Sequence, residues 1–292
     1  MPDVSKLRAE FEGPHELLTT SDGETIFLRK WNGAPESKTP FLIFHGITAY
    51  SAAYGPILAD ALAKSGFNVY GMDLRGHGLS GGKRGDYPSA ERLRKDLCET
   101  VAFVKAKSTD LVVLGHSLGA ISAIIAMNQC PQEIDGLVLL SAADKIRTGV
   151  YQRPRIFALI KSLAGASFLP GSPLIEYRRN GMVGLQDPLF NFTYSARFMS
   201  AFYGVGALSV AGMMRKGKLE SPNLKLRSKL RIPLFVAVGE KDELFSVDAA
   251  EAFFEGIQAD DKEFAIIPGA KHAVFPPDCW TQLITWAKKR FT

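Results

Sequence analysis

Short apolar segments alternate with longer segments of helical periodicity along most of this chain, and this alternation restricts the fold more than any other feature. Seven short segments, several of them almost entirely apolar, are predicted strands: 25–31, 41–44, 67–73, 111–115, 137–141, 232–239 and 264–267. Apolar residues recur every three or four positions in five predicted helices: 52–65, 89–107, 118–129, 247–258 and 279–290. Strands joined by crossover helices predict an α/β fold with a mostly parallel central sheet.

The alternation stops between residues 145 and 230. This stretch holds helix-like pieces and many glycines and prolines, but no strongly predicted strand. We therefore expect residues 1–144 and 231–292 to form one α/β core and residues 145–230 to be an insertion. Charge marks the same region, because residues 145–231 carry fifteen Lys or Arg and three acids, a net charge of +12, which leaves −7 on the rest of the chain.

Composition limits the class of protein. A chain of 292 residues with 46% hydrophobic residues buries about 75% of its unfolded surface, so it needs no disulfide or metal to build a core. The three cysteines, Cys98, Cys130 and Cys279, match no zinc or disulfide spacing, and we expect unpaired thiols in a reducing cytoplasm. The first residues lack an apolar signal region, and no uncharged stretch approaches the roughly 20 residues of a spanning helix.

The pentapeptide Gly115-His116-Ser117-Leu118-Gly119 lies directly between a predicted strand and a predicted helix. A serine in such a sharp turn has a strained backbone and an exposed hydroxyl, and the glycines let neighbouring chain approach. The helix that follows directs free N–H groups at this position, so the Leu118 amide is a predicted donor to an acyl oxyanion. The alternative, a glycine-flanked turn with a capping serine, is disfavoured by the flanking strand and helix.

A serine nucleophile needs a base to take its proton. Of the five histidines only His272 follows Ser117, as the chain order nucleophile, acid, histidine requires. His272 comes just after the last predicted strand, where a loop lies over the carboxyl edge of the sheet. The alternative is a surface-loop histidine beside Lys271.

The acid of such a site should follow the penultimate strand, and Asp242 does. A carboxylate there accepts the Nδ1–H bond of His272, which fixes the tautomer and stabilises the imidazolium. Glu240 and Glu243 are local alternatives, and Asp144 is a more distant one.

The loop after the strand at 41–44 reads His45-Gly46-Ile47-Thr48. Its position predicts a second oxyanion donor, the backbone N–H of Ile47, with Gly46 permitting the turn. We interpret His45 as a structural hydrogen-bonding residue rather than as a proton carrier.

Five motifs carry a resemblance to a known superfamily: His45-Gly46, the glycine-rich stretch 71–82, the serine pentapeptide, and the loops 239–242 and 269–272. In these motifs the sequence resembles the α/β-hydrolase superfamily. Within it, the chain is similar to the monoacylglycerol lipase and lysophospholipase-like serine hydrolases. The resemblance implies an acyl-ester hydrolase with Ser117, Asp242 and His272 as triad and a lid inserted after the sixth strand. Hydrolysis through an acyl-Ser117 intermediate requires no cofactor and no metal.

Two other ligand classes are disfavoured. The glycines of 71–82 lack the Gly-Lys-Ser/Thr ending of a phosphate loop, so we expect Asp73 and Arg75 to hold that loop in shape. Nucleic-acid binding is disfavoured because the basic residues are spread through the insertion without a recognisable motif.

Aromatic residues of the insertion, among them Phe157, Phe198 and Phe202, are predicted to line an acyl tunnel above Ser117, with basic residues outside facing anionic lipid. The alternative is that these rings pack the insertion onto the core. The substrate is expected to be an ester of a medium or long acyl chain; a thioesterase, a peptidase and a non-catalytic binding protein are the alternatives. The sequence makes no prediction about oligomeric state.

Overall fold

The computed structural model describes residues 2–151 and 167–292. In chain order its strands are β1 (His15–Thr19), β2 (Thr25–Trp31), β3 (Phe41–Phe44), β4 (Val69–Met72), β5 (Val112–His116), β6 (Gly136–Leu140), β7 (Ile175–Glu176), β8 (Thr193–Tyr194), β9 (Leu234–Gly239) and β10 (Lys262–Ile267). Eight of them form one sheet in the order β1-β2-β4-β3-β5-β6-β9-β10, and β7 pairs with β8 alone. From β4 to β10 in this order each strand is parallel to the next, whereas β2 runs antiparallel to both β1 and β4.

All seven predicted strands are present, and the prediction of a mostly parallel α/β sheet is confirmed. The edge strand β1 was not predicted. Its side chains are exposed or half-buried, so its sequence lacks the continuous apolar run that marks a strand buried on both faces.

The described helices are α1 (Val4–Ala9), α2 (Asp60–Lys64), α3 (Ala90–Lys105), α4 (Leu118–Gln129), α5 (Ala196–Tyr203), α6 (Ala207–Lys216), α7 (Val247–Glu255) and α8 (Thr281–Phe291). The helix predicted over 52–65 is not continuous. A 3₁₀ turn at Ser51–Ala53 and a π-helical turn at Gly55–Ala59, which has a proline in its first turn, precede α2. No described helix has both the length and the apolar character needed to cross a bilayer.

Successive residues of the central strands face opposite sides of the sheet. Leu42 and Phe44 of β3 belong to one apolar cluster, which also contains side chains of α3, α4 and α5. Phe41 and Ile43 belong to the other, which contains side chains of α8. Burial on both faces fixes the position of each central strand, and with it the loops at its carboxyl end.

Residues 145–230, called the insert below, separate β6 from β9, which are parallel neighbours in the sheet. The insert contributes α5, α6 and the two-stranded sheet. Its α5 lies against the core, since Phe198 and Phe202 are fully buried and their rings contact that of Tyr87.

The prediction of three unpaired cysteines was wrong. Cys98 of α3 and Cys130, which follows α4, form a disulfide with their Cα atoms 6.0 Å apart. They are 32 residues apart in the chain, and their proximity arises from the packing of α3 beside α4, which spacing alone does not show. A disulfide is typical of oxidising compartments, so the cysteines no longer favour a reducing cytoplasm.

Candidate active site

Ser117 occupies the sharp turn between β5 and α4, with φ 57° and ψ −118°. The positions on either side of the turn, Gly115 and Gly119, have no room for a side chain. A Cβ at Gly115 would lie 2.1 Å from the Gly119 carbonyl oxygen, and a Cβ at Gly119 would lie 1.9 Å from that of Phe44. The two glycines are therefore required by close backbone packing, and the strained serine is held by the strand and the helix on either side.

Three side chains distant in sequence meet at the carboxyl edge of the sheet. His272 Nε2 lies 3.0 Å from Ser117 Oγ, and His272 Nδ1 lies 3.1 and 3.0 Å from the two carboxylate oxygens of Asp242. Asp242 and His272 are 2% and 3% exposed, whereas Ser117 is partly exposed. The arrangement places a hydroxyl, an imidazole and a carboxylate in one hydrogen-bonded row.

The Asp242 carboxylate is held in its charged form. Its Oδ1 accepts hydrogen bonds from the backbone amides of Leu244 at 2.8 Å and Phe245 at 2.9 Å. Burial by itself would raise the pKa of Asp242, but the charge and hydrogen bond of His272 and the Phe245 amide outweigh it and lower the pKa to about 2. The group facing His272 Nδ1 is thus a carboxylate at neutral pH.

The alternative acids occupy other positions. Glu240 is exposed and accepts a bond from the Gly269 amide at 2.8 Å. Glu243 accepts one at 2.8 Å from the backbone amide of His272, so it supports the histidine loop without touching the imidazole. The backbone carbonyl of Asp144 accepts a hydrogen bond from the Leu219 amide, and the Asp144 carboxylate interacts electrostatically with Lys218.

The loop after β3 lies against the serine turn, since the Cβ position of Gly46 is 3.5 Å from Ser117 Cβ. The carbonyl of the Gly46–Ile47 peptide accepts from His45 Nδ1 at 2.8 Å and from the Ala49 amide at 3.2 Å. In a trans peptide the N–H points opposite to the carbonyl, so these bonds fix the direction of the Ile47 N–H.

His45 itself is neutral and oriented. Its Nε2 accepts from the Leu74 amide at 3.1 Å, which leaves the proton on Nδ1 for the Gly46 carbonyl. Burial lowers the pKa of His45 to about 4. His45 therefore orients a peptide, as the sequence interpretation expected.

Ile47 and Leu118 both border the cavity that Ser117 faces. Across residues 2–151 and 167–292, neither backbone amide donates a hydrogen bond within the protein. Two N–H groups beside the serine are thus available to a negatively charged oxygen.

Sequence reasoning missed a buried network that joins the two loops around Ser117. The Gly46 amide donates to Tyr54 Oη at 2.9 Å, the Tyr54 hydroxyl donates to His116 Nδ1 at 2.6 Å, and His116 Nε2 donates to the His272 carbonyl at 2.8 Å. Burial lowers the pKa of His116 to about 3, so the ring stays neutral. His116 stands inside the pentapeptide, but no local signal connects it to Tyr54.

The cavity beside Ser117 is bordered by apolar and hydroxyl-bearing side chains: Ile47, Ser117, Leu118, Ile121, Ser141, Ala142, Ala143, Ile146, Tyr151, Tyr177, Tyr203, Leu219, Leu224, Leu244 and Phe245. None of these described residues is charged at neutral pH. The cavity volume is about 30 Å³, far below the roughly 300–1,000 Å³ of a typical ligand pocket. A substrate chain can enter only if the walls move apart.

Two of the aromatic residues predicted to line a tunnel, Phe198 and Phe202, do not border this cavity, whereas Tyr177 and Tyr203 of the same region do. Phe198 and Phe202 are fully buried, and their rings pack on one another with centroids 4.6 Å apart, on the α3 side of the sheet. Aromatic residues at helical spacing point to a core as readily as to a tunnel, and here the core requirement determines their place. Phe157 lies outside the described residues.

The glycine-rich stretch 71–82 is a structural loop, as predicted. Asp73 accepts from the amides of Ser51 at 2.6 Å and Leu79 at 2.7 Å. Arg75 donates through Nε to buried Asp96 at 2.7 Å. Both charged side chains are thus committed to holding the loop.

Comparisons with known proteins show the family and the fold of this chain. The family described as serine aminopeptidase, S33, matches residues 35–276. The chain is 27% identical over 269 residues to the uncharacterized protein YnbC of Escherichia coli (strain K12), covering 89% of this chain but only 43% of YnbC's length. It is 26% identical to a monoacylglycerol lipase of Mycolicibacterium smegmatis, covering 87% of this chain and 88% of that one. The structure of a Saccharomyces cerevisiae monoglyceride lipase variant with a substrate analogue superimposes with a TM-score of 0.68 at 20% identity, covering 96% of each chain.

Proposed function

We propose, from the premise that this chain belongs to the serine aminopeptidase S33 family of α/β-hydrolases, that it is a serine hydrolase acting on carboxylic esters of medium or long acyl chains. The observation that carries the proposal is the hydrogen-bonded row Ser117, His272, Asp242 beside an uncharged cavity. The monoacylglycerol lipase relatives support the same class of substrate.

The chemistry proceeds in two steps. His272 Nε2 takes the proton of Ser117 while Oγ bonds to the acyl carbon, and the carbonyl oxygen becomes an oxyanion held by the Ile47 and Leu118 amides. The imidazolium, stabilised by Asp242, protonates the departing alcohol and leaves an acyl-serine. Water, deprotonated by His272, then attacks that ester and restores the serine hydroxyl as the acid departs.

The character of the cavity favours an acyl chain over a charged substrate group. Its described walls are aliphatic or phenolic, and apolar burial provides about 0.8 kcal/mol for each methylene. Because the cavity is narrow, the walls that the insert provides must separate on binding. Tyr151, Tyr177 and Tyr203 form part of that wall, and we propose that they move to admit the chain.

An aminopeptidase is the second candidate, because the family description names that activity. Such an enzyme must bind the ammonium group of its substrate, usually with a carboxylate. The described cavity walls carry none, which favours the ester. A thioesterase uses the same three side chains and remains the nearest enzymatic alternative.

Labelling with an alkyl fluorophosphonate tests the covalent step. We expect the folded protein to be modified at Ser117 and to lose esterase activity, and Ser117→Ala to be neither labelled nor active. Ser108→Ala is the matched control and should react like wild type, because Ser108 lies between α3 and β5, at the opposite end of that strand from Ser117. Folded wild-type protein that resists labelling would contradict the mechanism.

Matched substrates separate the candidate activities. We expect kcat/KM for monoacylglycerols and p-nitrophenyl esters to rise with acyl length from two to about ten carbons, as apolar burial increases. The corresponding thioester and aminoacyl p-nitroanilide should be poorer substrates. A large preference for the thioester or the anilide would reassign the function within the same mechanism.

We also propose that the insert contacts anionic lipid surfaces. Five of the large apolar side chains that are exposed within the described ranges belong to it: Phe168, Leu169, Val183, Leu185 and Leu208. The same region carries the excess of basic residues, and each cation near an anionic surface contributes about 1 kcal/mol.

Co-sedimentation with vesicles of phosphatidylcholine, with and without phosphatidylserine, tests this contact. Binding should require the anionic lipid, weaken as salt is raised, and fall in Phe168→Ala. Leu17→Ala removes an exposed leucine from the edge strand β1, outside the insert, and should bind like wild type. Binding that ignores both salt and Phe168 would contradict the contact.

A further inference from the structure

We propose that Tyr194 of the insert is a positioning residue for the oxyanion hole, because its hydroxyl holds the carbonyl of the residue that supplies one of the two amides. This inference rests on the proposed function. Tyr194 lies in β8, is fully buried, and donates a short hydrogen bond to the Ile47 carbonyl. Its hydroxyl also lies 2.9 Å from the Asn191 carbonyl.

Tyr194 is the last residue of the segment 187–194, which we call the strap. The strap runs beside residues 47–50 of the loop after β3, which we call the oxyanion loop. The Asn191 amide donates to the Thr48 carbonyl at 3.1 Å. The Tyr50 hydroxyl donates to Asp187 at 2.8 Å. Counting Tyr194, three hydrogen bonds therefore join the strap to residues 47–50.

The other side of the strap is anchored to the glycine-rich loop. Asn191 Nδ2 donates to the Gly76 carbonyl at 2.7 Å, and Arg84 donates to the Leu189 carbonyl at 2.5 Å. A Cβ at Gly85 would lie 2.1 Å from the Thr193 carbonyl oxygen, so the backbone at Gly85 and the backbone of the strap are in close contact. The strap is thus fixed to the core on one side and to the oxyanion loop on the other.

The bond from Tyr194 to the Ile47 carbonyl acts on the peptide that follows the Ile47 N–H. The Ile47 N–H belongs to the peptide between Gly46 and Ile47. On one side the Gly46 amide is fixed by Tyr54, and on the other the Ile47 carbonyl is fixed by Tyr194. The bonds from His45 and Ala49 to the Gly46 carbonyl orient this peptide, and the two flanking bonds hold the peptides on either side of it, so the Tyr194 bond adds to the precision with which the Ile47 N–H is aimed.

His77 does not take over this role in the native arrangement. Its ring stacks on that of Tyr194, with centroids 5.9 Å apart. Burial keeps the imidazole neutral by lowering the pKa of His77, and a neutral ring has one N–H. With the proton on Nδ1, which lies 3.2 Å from the Arg75 carbonyl, Nε2 has none to give to Ile47. Without Tyr194, a change of tautomer would let His77 replace the donor in part.

Tyr194→Phe keeps the ring and removes only the hydroxyl. We expect kcat/KM for a p-nitrophenyl ester to fall about 10-fold, less than the 10²- to 10³-fold loss of a whole donor, with KM changed less than about twofold. Affinity for an alkylboronic acid, whose tetrahedral adduct on Ser117 places an oxygen in the hole, should fall by a similar factor.

Tyr87→Phe is the matched control. It removes a buried hydroxyl from the same aromatic cluster, but that hydroxyl bonds Asp96 at 2.7 Å rather than the oxyanion loop. We expect lower thermal stability with unchanged kcat and boronate affinity. An equal loss of kcat in both variants would overturn the proposal, since it would reflect general loosening.

Unchanged kcat and boronate affinity in folded Tyr194→Phe would also overturn it. If Tyr194→Phe does not fold, Asp187→Asn is the second variant, because it weakens the bond to Tyr50 at the other end of the strap. We expect it to lower kcat about threefold with KM unchanged. An unchanged kcat would overturn the proposal. If wild type is labelled by the fluorophosphonate and Ser117→Ala is not, a negative result with these variants overturns only the role of Tyr194 and leaves the proposed function intact. A wild type that is not labelled would overturn both proposals.

Discussion

The core and the insert contribute to the candidate active site by different physical means. Ser117, Asp242 and His272 each follow a strand of one parallel sheet, so ladders of backbone hydrogen bonds determine how they meet. The insert reaches the site through separate side-chain bonds, of which Tyr194 to Ile47 is the most direct. The sheet thus determines which chemistry is available, and the insert adjusts how well one donor is aimed.

The largest effect is expected in the core. Asp242→Asn keeps the shape of the side chain but no longer fixes the productive tautomer of His272 or stabilises its charged form, so kcat should fall about 10³- to 10⁴-fold. Steady-state kinetics on an ester substrate measure the loss. Glu240→Gln is the control, because Glu240 is an exposed neighbour whose carboxylate accepts from the Gly269 amide; a similar loss of kcat there would mean that the acid is misassigned.

The disulfide comes next and tests stability rather than chemistry. Replacing Cys98 and Cys130 by serine removes a crosslink across 32 residues and should lower the free energy of unfolding by about 3–4 kcal/mol. Urea unfolding followed by fluorescence measures it, and Cys279→Ser serves as the control, since Cys279 is unpaired. Reductant should lower the stability of wild type and leave the double variant unchanged; equal sensitivity would contradict the assignment.

A smaller effect is expected where the insert is tied to the core. Arg197 of α5 donates to buried Asp86, and its side chain is 42% exposed, so Arg197→Met should cost about 1–2 kcal/mol. The loss should be local, so limited proteolysis should cut the insert faster while the core fragments persist. Uniform cleavage of core and insert would show that the two regions unfold as one unit.

The smallest effect concerns pH. Burial holds the pKa of His45 near 4 and that of His116 near 3, below the value of 6.5 that the unfolded chain has. The unfolded state therefore binds protons first, and stability falls as pH is lowered from 6.5 toward those values. Between pH 7 and pH 6 each histidine should cost about 0.7 kcal/mol. The urea midpoint measures this, and His116→Gln should flatten the curve; an unchanged slope would contradict it.

Local pattern was enough for seven of the eight strands of the main sheet, but not for β1, and for the positions of three side chains. Strands such as β3 and β5 are continuous apolar runs, and Asp242 and His272 directly follow such runs, so order along the chain indicates which edge they occupy. The contacts of Tyr54 and Tyr194 depend on how distant segments pack, and no spacing reports that. For the same reason the pairing of Cys98 with Cys130 was missed, and the burial of Phe198 could not be distinguished from a place in a tunnel.

The closeness of Gly119 to the Phe44 carbonyl has a consequence for thermal behaviour. The serine turn and the strand that leads into the oxyanion loop touch backbone to backbone, so neither can drift without displacing the other. Heating should therefore abolish fluorophosphonate reactivity and the far-ultraviolet signal of the sheet together. We expect the reactive centre to show no melting transition of its own.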